Sequence, residues 1–270
     1  MSKPNSFTRF YWSPWLIILM VFSSTAGQEN AIRYPIHHIG YEIGLELASL
    51  REDLLVPLGF HGPGLSVGFR YAIDAGQFRF YMPLHLKLDY VRNRYSHDGV
   101  ALSLDLRPSL TVELFETQEL GKFGAGICLP VEMNNIYLFS WDEAHLYWLS
   151  TQSLGIALDW RKELRRDREA NVQILLPILT GLSRPPTYRY TKQEAMDDLS
   201  FHFTKTHENI KWYGPDDYHS VFIRFQLTKT NPRGLTMLGM EFEYERFDLP
   251  KKIYTMNTAV LLSKQWRLGQ

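Results

Sequence analysis

The chain has 270 residues, with 29 lysines and arginines against 29 aspartates and glutamates, so its formal net charge is zero. That balance gives no electrostatic reason to expect a nucleic-acid partner, and a single cysteine, Cys128, excludes an intrachain disulfide and any multi-cysteine metal site. Aromatic residues make up 14% of the chain, a load that suits strands and membrane interfaces. Mean hydropathy is slightly negative, which excludes a bundle of membrane helices but not a β-barrel, where only alternate residues meet lipid.

The first element is an export signal. Lys3 and Arg9 supply a positive start without any acidic residue, Trp15 to Phe22 form a short apolar run, and Ser24-Thr25-Ala26 offer small residues for cleavage. The run falls short of the ~20 apolar residues of a spanning helix. We read residues 1–26 as a signal peptide and 27–270 as one domain.

After it, apolar residues recur with period two, the signature of strands. "HIGYEIGLELA" at 38–48 sets Tyr41, Ile43, Leu45 and Leu47 against Glu42 and Glu46. "GLSVGFRYAID" at 64–74 sets Leu65, Val67, Phe69 and Tyr71 against Arg70 and Asp74. Residues 78–91 set Leu84, Leu86 and Leu88 against His85, Lys87 and Asp89, and residues 99–115 set Leu102, Leu104 and Leu106 against Asp105 and Arg107. Pro108 interrupts this fourth run or marks a bulge. Further strands are expected at 123–133, 146–160, 171–181, 220–228, 235–245 and 254–266, ten in all. Their polar faces add Asp159, Arg224, Gln226, Glu241 and Glu243.

The connections at 74–77, 116–122, 161–170 and 230–234 are mostly short. Those at 49–63, 92–99, 134–145, 184–218 and 248–252 are longer. A short helix is expected inside the longest, near 191–199. Apolar faces running over about 10 residues match the length of a tilted strand crossing a bilayer, and aromatics gather near strand ends, among them Phe78, Phe80, Tyr90, Phe115, Trp148, Trp160, Phe247 and Trp266. In strand length, turn asymmetry and aromatic placement, residues 38–266 resemble bacterial outer-membrane β-barrels as a class. The resemblance implies an all-β, single antiparallel up-and-down transmembrane barrel of about ten strands, with eight to twelve open. It also implies location in the bacterial outer membrane, with outer-membrane lipid and the barrel-assembly machinery as partners, as a monomer.

The polar faces would then line the interior: Glu42, Glu46, Arg70, Asp74, His85, Lys87, Asp89, Asp105, Arg107, Arg224, Glu241 and Glu243. Buried charges of both signs must pair, and ~8 strands already fill a barrel with side chains, so the lumen is expected to be narrow or filled. The leading reading is a barrel in envelope structure, adhesion or specific small-solute handling, more a non-enzyme than an enzyme. A hydrolase is the alternative. "YGPDDYHS" at 213–220 brings Asp216, Asp217 and His219 to a loop rim, where carboxylates beside a histidine would activate water, as in the omptin proteases. His219 and its neighbour Ser220 point to opposite faces of a strand and do not pair readily. A soluble periplasmic β-sandwich or ligand carrier is the second alternative. No metal, cofactor or nucleic acid is expected, because no glycine-rich phosphate loop or metal-ligand spacing occurs.

Overall fold

The computed structural model describes residues 35–52, 56–139, 145–184, 210–231, 234–248 and 252–268. The expected signal peptide and the helix expected at 191–199 lie outside them. Thirteen strands form one antiparallel sheet. They are β1 (Ile36–Glu52), β2 (Val56–Ala75), β3 (Phe78–Arg92), β4 (Asp98–Leu106), β5 (Ser109–Thr117), β6 (Gly121–Cys128), β7 (Val131–Leu138), β8 (His145–Arg165), β9 (Arg168–Ser183), β10 (Lys211–Tyr213), β11 (Tyr218–Asn231), β12 (Gly234–Phe247) and β13 (Ile253–Leu268).

The sheet closes on itself. The first strand pairs with both β2 and β13, and β8 and β9 join the two flanks. β4 with β5, and β6 with β7, each make one wall strand broken in the middle, so the ring has ten members, while β10 adds a short pairing to β9 beside the longest loop.

Alternation decides which face is which. In β3, Tyr81, Pro83, His85, Lys87, Asp89 and Val91 are buried, while Leu86 and Leu88 are each 52% exposed. In β1, Glu42 and Glu46 are buried, while Leu45 and Leu47 are 68% and 66% exposed. A soluble sandwich would bury the leucines and expose the charges. This barrel is apolar outside and charged inside, the arrangement that a lipid surround demands. The soluble β-sandwich or carrier therefore does not fit.

Prolines break the wall along one line. Proline has no N–H for the ladder, but its carbonyl still accepts: Arg107 N–H donates to Pro83 C=O (3.1 Å), Leu129 N–H to Pro108 C=O (2.9 Å), and Ser153 N–H to Pro130 C=O (2.8 Å). Pro177 of β9 pairs with Gly155, where the register shifts. The interruption at Pro108 is thus one step of a seam crossing adjacent strands, and the break at Pro130 splits the strand expected over 123–133 in the same way.

The short turns lie at one end, and one of them has a hard requirement. Gly121 has φ +88°, and a Cβ there would lie 2.2 Å from the Arg161 carbonyl oxygen, so only glycine fits. At the opposite, loop-bearing end an apolar cluster fills the interior, including Leu50, Phe60, Ile136, Leu138, Phe247 and Ile253. Phe247 and Trp148, expected among outward aromatics, are instead buried at 1% and 3% exposure. The outward aromatics at the short-turn end include Tyr41 with Trp266 (ring centroids 5.6 Å apart) and Phe115 with Phe123 (4.8 Å).

Candidate functional site: the charged interior

Inward positions of neighbouring strands stack charged side chains in three levels. Nearest the short turns, Asp74, at the rim, lies 3.5 Å from both His38 and Arg79. Arg79 and Arg161 reach Asp159 at 3.5 and 3.0 Å, and Asn171 donates to it at 2.8 Å.

At mid-height sit Arg70 and Arg224, both with no exposed surface. Arg70 pairs with Glu42 (3.1 Å), donates to Ser263 Oγ (2.8 Å), and donates through Nε to the Tyr81 hydroxyl oxygen (2.6 Å). Arg224 pairs with Glu42 (3.5 Å) and with Glu241, and also donates to Tyr81. His85 Nε2 lies 2.6 Å from Glu42, and its Nδ1 lies 4.0 Å from Glu241. Ligand atoms of Glu42, His85 and Glu241 lie close enough to share a metal. However, Arg70 and Arg224 already neutralise the two carboxylates, so a cation there would meet no net negative charge.

Towards the loops, Lys87 reaches Asp105 (3.3 Å) and Glu243 (3.6 Å), and Arg107 pairs with the same two. The Arg107 guanidinium also stacks 3.9 Å over the Phe222 ring. Glu46 is buried with both carboxylate oxygens lacking a hydrogen-bond partner, as does Asp89 Oδ1. Of the residues expected to line the interior, all but Asp74 are buried, and Asp74 is about one-third exposed.

Among the described residues, the loop-side candidates are not brought together around one point. Asp216 is exposed and Asp217 half-buried, both on the turn that leads into β11. His219 is exposed on the outer side of that strand, whereas Ser220 lines an interior cavity. Alternation along the strand separates the two.

Sequence reasoning missed Tyr81, Glu132 and Glu245. Tyr81 shares its face of β3 with His85 and Lys87, and Glu245 continues the Glu241–Glu243 period, so both signals were present. Glu132 follows Pro130, where the strand breaks and the period restarts.

No family model matches the chain, and no curated protein matches it. Among solved structures, it is similar to the translocator domain of the autotransporter NalP from Neisseria meningitidis (8% identity, 94% of this chain and 95% of that one, TM-score 0.44). It is also similar to the outer membrane protease OmpT from Escherichia coli (9%, 87% and 96%, TM-score 0.45) and to a Pseudomonas aeruginosa FadL homologue (6%, 86% and 90%, TM-score 0.34).

Proposed function

We propose that this chain is a closed, non-conducting barrel of the bacterial outer membrane, an envelope anchor that presents its loop end on the cell surface. One observation carries the reading: the interior is filled. The cavities at the two levels flanking the central arginines measure about 10 and about 20 Å³, room for no more than a water or two. The ion-paired levels stand between the two ends, and the apolar cluster closes the loop end above them. Among the described residues no path for a hydrated solute is open, so the structural and adhesive roles are favoured over solute handling.

The apolar exterior matches outer-membrane lipid around the ring, consistent with a monomer inserted by the barrel-assembly machinery. Reconstitution into planar bilayers tests the reading. The barrel is expected to insert and give no stepwise conductance. Regular ion-sized steps from the purified protein would overturn it.

A further inference from the structure

Charge balance fails on the loop side of the central arginines. Lys87 and Arg107 are matched by Asp105 and Glu243, with which they pair. Four other carboxylates at this level, Glu46, Asp89, Glu132 and Glu245, are buried outside those pairs, and of these Glu132 and Glu245 line one cavity. One carboxylate oxygen from each of Glu132, Glu243 and Glu245 lies within 4.8 Å of the others. They face a cavity of about 20 Å³ that Asp105, Arg107 and Tyr218 also line.

Two of the three carboxyl groups accept on both oxygens. Glu245 accepts the Tyr218 hydroxyl on one oxygen (2.5 Å) and the Thr255 hydroxyl on the other (3.0 Å). Glu243 accepts Arg107 on one oxygen and Asn257 on the other (3.3 Å). An ionised carboxylate accepts at both oxygens, and these contacts suit that form. Glu132 has neither kind of support: it is nine-tenths buried, faces the cavity, and no hydrogen bond or ion pair among the described residues reaches it. Arg107 Nη1, on the same cavity wall, also lacks a hydrogen-bond partner. Buried carboxylates persist when they are paired or ligate a metal, and of these three Glu132 and Glu245 form no ion pair with a cation among the described residues.

We propose that Glu132, Glu243 and Glu245 bind one divalent cation of calcium size. The donors are all oxygen, which selects a hard cation. Calcium takes about six to eight oxygens in flexible geometry, whereas magnesium demands a near-ideal octahedron and keeps its waters, so three protein carboxylates on two strands suit calcium better. The ion supplies the cation that Glu132 and Glu245 lack. Hydroxyls of Thr151 and Ser220 line the same cavity and, with water, complete the shell. Because the apolar cluster lies over this level, the ion enters as the barrel folds and exchanges slowly afterwards.

The test refolds the full chain from urea into lipid-free detergent micelles, with millimolar calcium chloride or with EDTA. Calcium is then counted after gel filtration, and thermal unfolding is followed. One calcium per chain and a midpoint several degrees higher than in EDTA are expected. The double variant Glu132→Gln/Glu245→Gln should lose both the ion and the calcium dependence, while Glu46→Gln keeps both. Wild-type protein that retains no calcium and unfolds identically in EDTA overturns the proposal, as does a folded double variant that retains calcium like wild type. If the double variant does not fold, the wild-type comparison alone decides.

Discussion

Arg224 shows what a charge needs in order to live inside this barrel. It has no exposed surface and is held by Glu241, Glu42 and the Tyr81 hydroxyl. Arg224→Met leaves Glu241 without its close cation. Breaking one side of such a pair costs ~3–5 kcal/mol, to be read as a lower urea midpoint for the detergent-folded barrel. The double change Arg224→Met/Glu241→Leu should recover most of that loss, because no orphaned charge remains. Small residues make room for these side chains. A Cβ on Gly68 would lie 2.3 Å from His85 Cδ2. Gly68→Val therefore pushes His85 off Glu42, with an overpacking cost of ~1–3 kcal/mol in the same assay.

At the scale of the strand, the test is the outer face. Leu88 faces outward from β3 between the buried Lys87 and Asp89. Leu88→Arg should cost up to ~2–4 kcal/mol in a bilayer, measured by unfolding from lipid vesicles, while Tyr95→Arg on the exposed 93–97 turn should cost almost nothing. All ten wall strands were legible, because a period of two survives wherever one face meets lipid and the other a polar interior. The seam was not. Pro108 alone reads as a local interruption, and only the cross-strand register aligns it with Pro83, Pro130 and Pro177. The aromatics divide for a related reason. Inward positions change from charged to apolar near the loops, as from Glu245 to Phe247 and from Asp89 to Val91. An aromatic at that end therefore fits either face, and strand-end position alone does not say which. The charged interior was readable residue by residue, but its pairing was not, since partners such as Arg70 and Ser263 lie on strands far apart in sequence.

For the whole molecule, closure is the decisive property. An unboiled sample in dodecyl sulfate should run ahead of a boiled one, and the difference should vanish in variants that cannot close the ring. Closure is made by the two strands at opposite ends of the described barrel, β1 and β13, which pair from His37–Leu268 to Glu52–Ile253. Until β13 arrives, the backbone amides and carbonyls on the open edges of β1 and β12 have no partners, and the leucines of the outer face have no lipid. Such bare edges are templates for joining other chains. The chain is therefore most at risk in the interval between its synthesis and the completion of its last seam. Deleting Ile253–Leu268 would prolong that interval indefinitely, giving aggregates and degradation products in place of a smaller barrel.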